Sequence, residues 1–326
     1  HPVRRPIRAR AMTTTVSQPP RGEPAARAPE ASRRRGTIGL IWRSLRPRQW
    51  LKNLVVVAPL VFAERLLDPA NGFRAAAAFL IFCATAGAVY LFNDLVDREA
   101  DRLHPRKRTR PLASGELSPG AAVAALALLV PAAVAAAVWL DVGFAVVCGI
   151  YLSINVGYTL FWKHVVLLDI FLIAAGFVLR GIGGAEVLDV AISPWLLLCT
   201  FFLALFLAAG KRRHELVSVA DAAAHRPILA SYSTLLVDQL IAILAAVTVG
   251  TYALYTIAES TRAHFGTERL AYTIPFVVFG IFRYLYLVYQ QNGGGRPEDA
   301  LLTDRPLLAS VLLWGAAAVM IIYVLG

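Results

Sequence analysis

Apolar runs of about 20 residues recur along most of this chain, and they restrict its fold more than any other feature. FRAAAAFLIFCATAGAVYLF, residues 73–92, is one of them. As a helix, such a run crosses a bilayer core of roughly 30 Å. Inside lipid every backbone N–H and C=O must be paired within the protein, which leaves helices or a closed barrel. Barrel strands alternate apolar and polar residues, and that alternation is absent from the long Ala/Leu/Val blocks. The chain is 58% hydrophobic with a mean hydropathy of +0.61, against about 45–50% apolar for soluble domains. The fold class is therefore all-α, a polytopic membrane helix bundle. Nine transmembrane helices are expected, at 52–66, 74–95, 119–139, 142–161, 165–185, 194–211, 236–258, 271–290 and 305–325. The first is short enough to be tilted or partly re-entrant.

Residues 1–37 are rich in Arg, Pro and Ala without apolar periodicity, and read as a disordered basic tail. No signal-peptide core is visible there. Met12 opens a natural-looking start, so residues 1–11 read as upstream sequence. The membrane-embedded unit then covers 38–326 and begins with an amphipathic helix. Ile38, Ile41, Trp42 and Leu45 form its apolar stripe, Arg43, Arg46 and Arg48 lie off it, and Trp50 is an interfacial anchor.

The net charge of +11 is explained by loops rich in Lys and Arg on the cytoplasmic side rather than by nucleic acid. Arg98, Arg102, Arg106, Lys107, Arg108 and Arg110 follow the second span, and Lys211, Arg212, Arg213 and Arg226 follow the sixth. The N-terminus and these loops are thus expected in the cytoplasm. Cys83, Cys148 and Cys199 all fall in apolar runs and read as buried small side chains, without disulfide or metal spacing.

The densest charge lies in FNDLVDREADRLHPRKRTRPLASG, residues 92–115. On a helix continuing from the second span, Asp94, Asp97 and Asp101 fall within an arc of about 60° on three successive turns. Three carboxylates on one face need a neutralising partner. A hard divalent cation suits them, and magnesium completes its shell with phosphate oxygens. The neighbouring bases would cradle the remaining phosphate charge. The bases alone would also serve simply to hold the loop inside.

NDLVDREADR fits the NDxxDxxxD signature of the UbiA superfamily of intramembrane prenyltransferases, and RPLASGELS resembles the segment that follows it there. The resemblance extends over about 40–326. It implies a nine-helix bundle around a cavity open to the cytoplasm and, by side portals, to lipid. It also implies that Asn93, Asp94, Asp97 and Asp101 bind a magnesium-diphosphate, with the three aspartates as the catalytic acids. Most of the superfamily has a second acidic motif after span six. Here AAGKRRHELVSVADAAAHR stands in its place, with bases where carboxylates would be. Such bases would bind a separate phosphate directly. A donor with a diphosphate and a distinct phosphate fits, and 5-phosphoribosyl 1-diphosphate has both. RPRQWLKN, GYTLFWKHVVLLDIF and FLAAGKRRHEL resemble the branch of the superfamily that transfers phosphoribose to a polyprenyl phosphate. That branch feeds the arabinan donors of certain bacterial cell walls, which implies a multi-pass protein of a bacterial plasma membrane with its site facing the cytoplasm.

On this reading Lys52, Asn93, Lys107, Arg110, Tyr158, Lys163, Asp169, Arg180, Lys211 and Arg212 bind substrate. The acceptor phosphate, already ionised with a second pKa of about 6, attacks C1 with inversion and needs no general base. A homo-oligomer is compatible with it. A prenyltransferase acting on an aromatic acceptor shares the first motif but lacks support at the second. A transporter would be expected to show repeated halves with broken helices, and none is evident.

Overall fold

The computed structural model describes residues 36–105, 107–218, 231–291 and 294–325. Nearly all of the expected tail lies outside them, as do Arg106, Asp221, His225 and Arg226. Among the described residues every regular element is helical. In order these are α1 (Thr37–Ser44), a 3₁₀ segment (Pro47–Val57), α2 (Ala58–Phe62), α3 (Pro69–Val96), α4 (Arg98–Leu103), α5 (Pro111–Ser114), α6 (Pro119–Leu140), α7 (Val142–Leu160), α8 (Leu168–Leu188) and α9 (Pro194–Ser218). There follow α10 (Thr234–Ile257), α11 (Glu259–Phe265), α12 (Ile274–Gln290), α13 (Pro297–Thr303) and α14 (Arg305–Val324).

Local chemistry starts these helices where the sequence allows. Asp68, Ser118, Asp141, Ser233 and Asp304 each accept a backbone N–H of the following first turn, and Pro69, Pro119 and Pro306 sit in first turns where no N–H is needed. Apolar faces then pack. Phe82, Phe144, Tyr151 and Val56 form one core. Phe206, Ile241, Tyr284 and Val288 form another between α9, α10 and α12. Leu128 and Trp139 on α6 stay exposed, as lipid-facing side chains do. All three cysteines are free, with Cys83 and Cys148 buried.

Eight helices among the described residues are long and apolar enough to cross a membrane. The first expected span is not one of them. Residues 47–62 form the 3₁₀ segment and the single short helix α2 instead. This stretch nevertheless runs beside α3 for most of its length. At its start Arg46 pairs with Asp94, near the C-terminal end of α3. Near its other end Leu60 packs in one buried cluster with Ala75, in the second turn of α3. Eleven residues of 3₁₀ helix at about 2.0 Å each, plus α2 at about 1.5 Å per residue, reach roughly 30 Å. Close packing makes room for it. A Cβ on Gly184 of α8 would lie 1.9 Å from the Val56 carbonyl oxygen, so only glycine lets the two backbones touch there.

α1 is amphipathic, and of its apolar stripe Ile41 packs partly against the protein. Leu40 packs with Leu91, Leu112, Leu117 and Ala122, while Ile38 and Trp42 are exposed. Arg43 donates to the Thr109 carbonyl at 3.0 Å, which ties α1 to the loop after α4.

Candidate active site

The expected single helical face is interrupted. α3 ends at Val96, and Asp97 caps it before the short α4 begins. Asp94 and Asp101 are buried and converge. One nitrogen of Arg110 donates to Asp94 at 3.0 Å and to Asp101 at 2.5 Å. Arg46 pairs with the same Asp94 oxygen, and Lys107 lies 3.5 Å from Asp101. Asp97 points elsewhere and takes a 2.6 Å bond from Lys163. Asn93 turns its carbonyl oxygen to the Thr159 hydroxyl. Four cations from three separate places in the chain thus surround the three acids.

Arg46 reaches Asp94 from a strained backbone, with φ 53° and ψ 64°, a region that costs a non-glycine residue of order 1–3 kcal/mol. Its guanidinium lies 4.9 Å over the Tyr90 ring. The sequence placed Arg46 among the bases of a membrane-surface helix; the structure moves it to the acids. Further along the 3₁₀ segment, Gln49 donates to Glu298 of α13 at 2.6 Å, and Lys52 lies 3.4 Å from the other Glu298 oxygen. Burial opposes ionisation of Glu298, but the Lys52 ammonium and these bonds outweigh it and hold the carboxyl below its ordinary value.

Arg180 is buried on α8. Its bonds go to Asn53 at 2.8 Å, the Gly176 carbonyl at 2.6 Å and the Tyr151 hydroxyl at 3.1 Å. The rings of Phe82, Tyr151 and Phe177 enclose it at about 5 Å. Among the described residues those partners are all neutral. An intramembrane cation of this kind marks a functional site by default.

Arg212, expected to meet a substrate phosphate, is only 1% exposed. It donates to Asp169 at 2.7 Å and pairs with Glu215. Asp169, also expected at the substrate, receives the Tyr232 hydroxyl at 2.8 Å. That hydroxyl accepts the Leu167 N–H at 2.7 Å, at a position where φ is 67°. Burial pushes the Tyr232 phenol up to about 12, so it remains a donor at neutral pH. Arg213 is held by Asp238 at 2.7 Å and lies over Tyr289. Tyr158 closes the last turn of α7 and Lys211 precedes Arg212 on α9, both half-buried. A cavity of about 520 Å³, lined by Phe62, Arg65, Asp189, Tyr255 and His264, opens at the opposite end of α8 and carries none of the expected ligands.

No group of three or more His, Cys, Asp or Glu is placed to hold a metal among the described residues. The donor chemistry fits magnesium all the same. Asp94 and Asp101 are two oxygen ligands within reach of one guanidinium nitrogen, and magnesium takes one or two carboxylates and fills its shell with water and phosphate.

Buried acids and a collar of cations at one end of an apolar helix bundle define an intramembrane transferase, and the chain belongs to the UbiA prenyltransferase family, whose family model matches residues 54–300. It is similar to the decaprenyl-phosphate phosphoribosyltransferase of Corynebacterium glutamicum, with 35% identity over 87% of this chain and 86% of that protein. The proteins of the same name from Mycolicibacterium smegmatis and Mycobacterium tuberculosis are 33% identical over 85% and 83% of this chain, and 90% of each relative is covered. A UbiA homolog from Archaeoglobus fulgidus, solved with GPP and Mg2+, shares the fold with a TM-score of 0.64 and 18% identity, over 87% of this chain and all of that one.

Proposed function

We propose that the protein transfers phosphoribose from 5-phosphoribosyl 1-diphosphate to a polyprenyl phosphate, decaprenyl phosphate by its similarity to relatives of that name, and releases diphosphate. The product would supply arabinan precursors of the cell wall. The observation that carries the reading is the convergence of Arg46, Lys107, Arg110 and Lys163 on the three acids. Such a site neutralises itself when empty and can turn its guanidinium groups to phosphate oxygens when a diphosphate enters. Lys211 stands where a second acidic motif would bind a second cation, beside Arg212 and Arg213, which Asp169, Glu215 and Asp238 hold, and supports a donor with a separate phosphate.

In this mechanism Asp94 and Asp101 hold a divalent cation, which when bound neutralises charge on the leaving diphosphate. Asp97 keeps Lys163 beside the acids. Arg46 and Arg110 take the remaining diphosphate oxygens. The C1–O bond to diphosphate breaks as a bond from C1 to the acceptor phosphate oxygen forms on the opposite face. Diphosphate leaves with the electron pair. No proton moves, since the acceptor phosphate is ionised near pH 7. Lys211 and Tyr158 bind the 5-phosphate. Arg212 serves that site as a positioning residue through Asp169. Lys52 and Arg180 line the inner end, and the lipid chain lies between apolar helices. Rate comes from orientation and charge neutralisation. The acidic end faces the cytoplasm of a bacterial plasma membrane.

The test is an assay of purified protein with labelled phosphoribosyl diphosphate, with and without polyprenyl phosphate. Label entering the lipid only when acceptor is present, lost with chelator and restored by magnesium, is the expected result. Consumption of a polyprenyl diphosphate instead would return the chain to the prenyl-transferring members of the family.

A further inference from the structure

Glu298 has no counterpart in the sequence motifs, and the structure folds it into the site. It is 7% exposed. One of its oxygens accepts from Gln49; the other, Oε2, is buried and has no hydrogen-bond donor among the described residues. Lys52 faces that oxygen at 3.4 Å and donates instead to the Gln49 side chain at 2.6 Å. The ammonium balances the charge of that oxygen from 3.4 Å, and the oxygen keeps room for a closer hydrogen-bond donor. The ligand that takes that room must be a hydrogen-bond donor. A phosphate would meet a like charge here, and a metal cation would meet Lys52. A neutral hydroxyl meets neither objection.

Position narrows the choice. A 3₁₀ helix has three residues per turn, so Arg46 at its cap, Gln49 and Lys52 share one edge, with Gln49 about 6 Å beyond Arg46. Arg46 holds Asp94. Glu298 therefore sits about one turn from the groups assigned to the diphosphate. An α-configured 1-diphosphate of ribose carries its leaving group and both ring hydroxyls on the same face of the furanose. We propose that Glu298, with Gln49 beside it, binds the vicinal hydroxyls of the donor's pentose and sets specificity for a hydroxylated donor. This rests on the phosphoribosyl-transfer reading.

Wild type, Glu298→Gln and Glu298→Asp are assayed with 5-phosphoribosyl 1-diphosphate and with its analogues lacking the 2- or the 3-hydroxyl. Glu298→Gln is expected to lower kcat/KM for the full donor by about 10-fold or more, the worth of a charge-assisted bond. For at least one deoxy analogue the same change should cost less than about 3-fold, because the partner is already missing. Glu298→Asp keeps a counter-ion for Lys52 and withdraws the oxygens by one methylene. It should show the same selective loss, and it decides the matter if the Gln variant does not fold. Equal losses on all three donors, or no loss on any, would overturn the proposal and make Glu298 a tether between α13 and the 3₁₀ segment. Wild type that transfers no phosphoribose from any donor would instead sink the transfer reading, and this inference with it.

Discussion

At the scale of single residues, similar side chains take different roles according to their partners. Lys211 and Arg212 are adjacent, yet Arg212 lies buried between Asp169 and Glu215. Arg212→Ala removes the cation that both acids share, and breaking a buried pair costs about 3–5 kcal/mol. We expect a large drop in melting temperature in detergent, with activity lost as a consequence. Lys211→Ala should keep the melting temperature while kcat/KM for phosphoribosyl diphosphate falls by about 10- to 150-fold, the worth of one charge-assisted bond to phosphate. A stable Arg212→Ala protein with only its donor affinity impaired would show that Arg212 touches substrate after all. The acids and the cations beside them in sequence were readable, because a carboxylate run at a span end stands out. Arg46, Gln49 and Glu298 were not. Glu298 meets Gln49 across 249 positions, and no local pattern encodes that meeting.

At the scale of elements, two contacts set the site's walls. Gly184 lets the 3₁₀ segment lie directly on α8. Gly184→Ala would drive its methyl into the Val56 carbonyl, displacing the backbone that carries Lys52 and Asn53. Overpacking of this kind costs about 1–3 kcal/mol or more. We expect lower thermal stability and a loss of turnover out of proportion to it; unchanged activity would mean that the segment packs elsewhere. At the start of α14, Arg283 donates to both oxygens of Asp304 at 3.0 and 2.8 Å, and that bond chiefly holds the carboxyl below its ordinary value. A carboxyl lowered in the folded state adds stability above its unfolded pKa, near 3.9, and loses it as pH falls through the folded value. Asp304→Asn keeps a good helix cap but removes the ion pair. The variant should therefore melt below wild type at pH 7, and the gap should close as pH falls below about 4. A gap that stays constant down to acid pH would assign the effect to the cap alone.

At the scale of the whole molecule, the 47–62 stretch decides the topology. Eight helices cross by length and composition, and an even number would leave both chain ends on one side. We propose that the stretch, which runs from the acidic end toward the start of α3, is a ninth crossing and puts α1 and the C-terminus on opposite faces. A cysteine at Thr109 should be labelled from the cytoplasmic side, and one at Leu325 from the other. Labelling of both from one side would reduce the stretch to a re-entrant loop.

Residue order alone settled the all-helical membrane class, the helix starts, the acidic motif and its belt of bases. Each of these depends on neighbours within a turn or two, or on composition over a span. The packing of distant elements settled the rest. It split the three acids into a buried pair and a partner of Lys163, because α3 breaks at Asp97. It turned a short apolar run into a 3₁₀ edge of polar side chains, because Gly184 allowed the contact. It also brought Glu298 from a connecting helix into the site. A buried charge is stable only where its partners meet it, and here those partners come from opposite ends of the chain.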